Sequence, residues 1–276
     1  MRLALLALAI AASALSSASL GGQNRVPPHF SGPHTLVSGY QYALSGEYSA
    51  LNITNAAAQG NTSVEIDWRT KGAVGPVENE GQCGSDWAFS AKGAVEGEHF
   101  LATGKLQVLS AQELVDCAGV TGAQGCNGGL PEDGLRFIKA HGSVASSAYP
   151  YTARDGQCKK TTAGVAAKIG GILRSPIGDD AALLAMLQLH GPVSVVIDGN
   201  WIPEYRGGIQ SNCGSGAPSF VSALLVGAKT DSASGEPYWL LKFSYGTAFG
   251  NNGYAYLSRR RHNECGITDY AIVPLH

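Results

Sequence analysis

Six cysteines, at positions 83, 117, 126, 158, 213 and 265, lie downstream of an apolar N-terminal segment, and that combination restricts the fold more than any other feature. Met1-Arg2 supplies a positive start, and Leu3 to Leu15 is almost unbroken Leu, Ala and Ile. Small residues follow, with Ser16-Ser17-Ala18 as the cleavage site and Ala12-Ser13-Ala14 as a rival. This is the layout of a secretory signal peptide, expected over residues 1–18. The run is too short to span a bilayer, which takes ~20 apolar residues. Leu183 to Leu189, the other apolar run, is shorter still and flanked by Asp179-Asp180 and His190-Gly191-Pro192. An even number of cysteines sent to an oxidising compartment reads as disulfides, and six of them admit about fifteen pairings.

The expected location is therefore secreted or lumenal, in a lysosome-like or other endomembrane compartment. Two glycosylation sequons, at Asn52 and Asn61, agree with that route. The net charge of −2 excludes broad attraction to nucleic acid or acidic lipid. Residues 19–62 form a short leader rich in Ser, Gly, Ala and Asn. The main domain is expected over 63–276, with a helical lobe over about 63–170 and a β lobe over about 171–276.

Hydrophobic spacing predicts four helices. The first runs from Asp86 to Thr103, with Ala88, Ala91 and Val95 on one face and Gly104 as its stop. Ser110 and Glu113 form a capping box that opens the second. The third spans Pro131 to His141 and ends at Gly142. The fourth spans Asp179 to Leu189 and ends at Gly191-Pro192. Strands are expected at Val193–Ile197, Ser222–Val226, Tyr238–Phe243 and Tyr254–Ser258. Helices before residue 170 and strands after it indicate an α+β fold with a cleft between two lobes.

The segment Gly81-Gln82-Cys83-Gly84-Ser85-Asp86-Trp87-Ala88-Phe89-Ser90 resembles the active-site segment of papain-like, cathepsin-type cysteine peptidases. Leu109 to Cys117, Gly125-Cys126-Asn127-Gly128-Gly129, Tyr149-Pro150-Tyr151, Gly191-Pro192-Val193, Gly246 to Tyr254 and Cys265-Gly266-Ile267 resemble further family segments in family order. The resemblance implies a papain-like two-lobe fold over about 63–276, with a helical lobe and a β-barrel-like lobe. It also implies the disulfides Cys83–Cys126, Cys117–Cys158 and Cys213–Cys265, each stabilising by ~2–4 kcal/mol.

That pairing leaves no free thiol. A papain-like peptidase uses a thiolate, a His that activates it and an Asn that orients the His. The resemblance places those roles at Asp86, Val221 and Phe243, so all three are vacant. It assigns an oxyanion-stabilising glutamine to Gln82. A carboxylate at a helix N-terminus is stabilised by ~0.3–1 kcal/mol, which makes Asp86 a weaker base and nucleophile. Trp87, Gly128 and Gly129 match the family's peptide groove, Tyr245 replaces its cleft tryptophan, and Tyr270 stands where a specificity pocket has its floor.

The expectation is a degenerate peptidase that binds a peptide or protein in the inter-lobe cleft without cutting it. It is expected to act as a monomer, with no metal, cofactor, nucleic acid or membrane. The alternatives are a structural, storage or matrix protein built on the same fold, and a hydrolase with different chemistry at Asp86. Glu98-His99 lacks the second His of a zinc-protease helix. Arg259-Arg260-Arg261-His262 reads as a solvated turn.

Overall fold

A computed structural model describes residues 65–276. The expected signal peptide, the leader and both sequons, Asn52 and Asn61, lie outside the described residues.

Helix α1, Asp86–Thr103, has the expected bounds. Gly104 ends it in the left-handed region, returning its N–H to Phe100 O. The helix is buried on most of its circumference, including Lys92 and Glu96. Helix α2, Ala111–Cys117, starts at Ser110, whose hydroxyl accepts the Glu113 N–H. Only half of the expected capping box forms. Glu113 Oε2 instead accepts from Ser143 Oγ and Val144 N–H, both at 2.9 Å. A loop thirty residues away offers that carboxylate two donors, more than the single N–H at the helix start. Helix α3, Pro131–His141, has Pro131 in its first turn and Gly142 at its end. Helix α4, Asp180–His190, is capped by Asp179, which accepts the Ala182 N–H.

The strands are β1 Ile66–Asp67, β2 Gly171–Arg174, β3 Val193–Asp198, β4 Ile209–Gln210, β5 Phe220–Thr230, β6 Pro237–Lys242, β7 Tyr254–Ser258 and β8 Ala271–Leu275. They form one sheet ordered β2-β8-β3-β5-β6-β7-β4, with β1 added to β5. All pairings are antiparallel except β4 with β7. The central β5 outruns its expected bounds because pairing on both edges extends it. β1, β2, β4 and β8 are short, and too few of their residues alternate to reveal a strand period.

The result is the α+β two-lobe papain-like arrangement. α1 crosses β5, and Gly93 permits the approach, since a Cβ there would lie 2.7 Å from Leu224 Cδ2. Ser90 Oγ closes the crossing on Ala223 O at 2.7 Å. One core lies between the sheet and α4, and a second between α1, α2 and α3. The disulfides Cys83–Cys126, Cys117–Cys158 and Cys213–Cys265 are all present. The first two tie the helical half and the third ties the strand half. No described helix is long and apolar enough to cross a membrane.

Candidate functional site

Asp86 opens α1 at the junction with the sheet. Its Oδ1 accepts the Trp87 N–H at 2.6 Å, and its Oδ2 accepts the Ser222 N–H of β5 at 2.8 Å. One carboxylate thus joins two halves of the chain 136 residues apart. Burial pushes its carboxyl up to about 6, against the two N–H bonds, which favour the ionised form. The helix-end expectation is corrected here: although the side chain keeps some contact with solvent, desolvation outweighs the favourable helix terminus.

The Val221 and Phe243 positions are packed core. Val221 lies 1% exposed on β5, opposite Ile197 of β3. Phe243, 2% exposed, stacks on Tyr245 at 5.5 Å and meets Phe249 and Trp201 edge-on at 5.2 and 6.2 Å. Such pairs add ~0.5–1.5 kcal/mol each beyond area burial. Asp86 and Phe243 share a cavity of ≈ 20 Å³, room for about one water, with Glu78, Phe89, Ser90, Ser222, Lys242 and Ser244. No histidine lines it, and none of the six cysteines is a free thiol.

Gln82 is exposed. The neighbouring buried side chain is Glu80, 1% exposed, whose Oε2 accepts from Ser244 Oγ at 3.1 Å. Its backbone N–H reaches Ser244 O, and its carbonyl accepts from Tyr151 OH. Glu80 Oε1 has no hydrogen-bond partner. Burial, helped by the Asp86 charge, holds the Glu80 carboxyl well above the usual carboxylate range.

A buried charge cluster adjoins this site, unannounced by the motifs. Lys92, 1% exposed, bridges Glu78 at 2.6 Å and Glu96 at 2.8 Å. Lys242 Nζ donates to Gly75 O at 3.0 Å, and burial lowers its ammonium to about 8. The i,i+4 pair Lys92/Glu96, set among Ala88, Ala91, Ala94 and Val95, is the sequence signal that could have disclosed the cluster.

The groove residues fall into two groups. Trp87 is fully buried and donates Nε1–H to Gly125 O. Gly129 borders its ring, where a Cβ would lie 2.9 Å from Trp87 Cδ2. Gly128 spends both backbone groups internally, on Gly125 O and Gln124 N. The Gly129 N–H and C=O make no hydrogen bond among the described residues. Tyr245 lies 8% exposed on Phe243. Tyr270 is buried: its OH accepts the Glu132 N–H, and the Arg174 guanidinium covers its ring at 4.5 Å. The basic run is not wholly solvated, since Arg259 lies over Trp239 at 4.2 Å and His262 Nδ1 sits 2.7 Å from Asp180.

The chain belongs to the papain family of cysteine proteases, whose family model matches residues 62–275. It is 42% identical over 221 residues to digestive cysteine proteinase 2 of Homarus americanus, covering 78% of this chain and 68% of that one. It is 43% identical over 218 residues to procathepsin L of Mus musculus, covering 76% and 64%. The chain thus spans about two thirds of the length of these relatives. Among solved structures, digestive procathepsin L 3 of Tenebrio molitor larval midgut superposes with a TM-score of 0.74 at 35% identity, covering 80% of this chain and 72% of that one.

Proposed function

We propose that this protein is an exported, lumenal or secreted, pseudopeptidase: a disulfide-bonded papain-family scaffold that binds a peptide or protein partner and does not hydrolyse it. One observation carries the reading. The Asp86 carboxylate shares its cavity with Phe243, Lys242, Glu78, Ser90, Ser222 and Ser244, with no free thiol and no imidazole among the lining residues. Acyl transfer from an amide needs a nucleophile and an acid for the leaving amine. The family's imidazole, which serves both as base for the nucleophile and as acid for the leaving amine, has no counterpart in the lining of this cavity. The free backbone groups of Gly129 and the three disulfides, which suit an oxidising compartment, support a binding role. Use of the fold for storage or matrix has no structural feature in its favour.

A second reading, a hydrolase using Asp86, has one observation behind it: a carboxyl titrating near 6 can transfer protons at mild pH. A fluorogenic peptide panel from pH 4 to 8, run beside Asp86→Ala, separates the two. The expected result is no turnover by either protein. Turnover that disappears in Asp86→Ala would overturn the pseudopeptidase reading.

A further inference from the structure

Two backbone donors converge on Asp86. One, Trp87 N–H, belongs to its own helix. The other, Ser222 N–H, belongs to β5, on the far side of the cleft floor. Trp87 also walls the Gly129 backbone, whose N–H and C=O are unpaired. The unpaired Gly129 backbone and the Asp86 carboxylate thus both adjoin Trp87, Gly129 at its ring and Asp86 at its N–H. We propose that Asp86 is a built-in occupant of a peptide-carbonyl site, and that protonation of Asp86 releases the Ser222 N–H to the bound peptide. This rests on the peptide-binding reading above and adds its regulation.

The geometry gives the direction. An ionised carboxylate accepts at both oxygens, whereas a protonated one carries a hydroxyl that gives up an acceptor position. The Trp87 N–H is tethered to Asp86 by a single peptide link, so the bond that yields is the one to Ser222. Charged and titratable groups face Asp86 from several elements, Lys242 among them with its ammonium lowered by burial to about 8. In the loop before α1, Glu78 is held by Lys92, and burial raises the Glu80 carboxyl, helped by the Asp86 charge. On α1, Lys92 is shared with Glu96. On β6, Lys242 donates to Gly75 O. Past β6, burial holds the Tyr245 phenol far above neutral range, as it does Tyr151. On β3, Asp198 accepts from Asn200 and Ser219 N–H. No salt bridge to Asp86 exists among the described residues.

Since Asp86 titrates near 6, about a tenth of the protein is protonated there at pH 7. A peptide that needs the open form then binds about tenfold more weakly at pH 7 than at pH 5. The test is fluorescence anisotropy of the full chain, disulfides intact, with peptides of neutral side chains blocked at both ends. The expected result is a dissociation constant that falls about tenfold from pH 7 to 5, with a midpoint near 6. Asp86→Asn should bind at pH 7 as wild type does at pH 5, with no pH dependence. Peptides that bind wild type with pH-independent affinity overturn the gate and leave the binding reading standing. No binding by either protein at any pH overturns both. If Asp86→Asn does not fold, the Ser222 amide of wild type decides by NMR. An amide resonance that moves with a midpoint near pH 6 supports the gate, and one that stays constant overturns it.

Discussion

Replacing Asp86 with Asn should remove a pH dependence of stability whose size follows from the burial of one carboxylate. The folded state raises the Asp86 carboxyl from the ordinary 3.8 to about 6. An acid raised by folding is held more tightly as its neutral form. Its contribution is fully present below the unfolded value and is lost as pH rises through the folded one. Each tenfold change in proton affinity is worth ~1.36 kcal/mol, so Asp86 should stabilise the protein by about 3 kcal/mol at most between pH 7 and pH 4. Its partial contact with solvent at the cleft edge lowers that ceiling.

Burial of His190 lowers its imidazole, and Asp67 is held down by Arg69; both act in the opposite sense over this range. They are common to both proteins and cancel in the difference. Removing the Asp86 charge also relaxes Glu80, in the same direction as the main effect. Asn leaves one of the two N–H donors without an acceptor, which offsets the curves by a constant and not by a slope. Urea unfolding with disulfides intact, at half-unit steps from pH 4 to 7, measures it. Wild type should gain on acidification relative to Asp86→Asn. Parallel curves, or a wild type that loses ground on acidification, would refute the reasoning.

Phe243→Asn should destabilise by ~3–5 kcal/mol, because it empties the centre of the Tyr245/Phe249/Trp201 cluster. Thermal unfolding checks this, and a loss under 1 kcal/mol would mean the ring is not core. Lys92→Met should cost ~3–5 kcal/mol by stranding Glu96 and Glu78 without their shared ammonium. Adding Glu96→Gln should recover part of the loss, and a double variant no better than Lys92→Met would speak against the pair.

Much of this architecture was written locally. Gly104, Pro131 and Gly142 set helix ends through their own backbone preferences, so α1 and α3 have the bounds their sequence announces. The disulfide pairing was legible only through family resemblance, since cysteine spacing alone admits many connectivities. Tertiary structure decided the rest. Glu113 turned from its own helix start to Ser143 and Val144, because a distant loop brought it two donors. Gln82 and Glu80 are two residues apart, and Glu80 is the one buried, where Asn79 pairs with Tyr245 and Glu80 with Ser244. At Asp86 the local rule pointed the wrong way. A helix start favours the charge, yet its protonation is set by burial against β5, contributed by residues 136 positions later. Desolvation depends on what surrounds a group in space, and no neighbour in sequence encodes it.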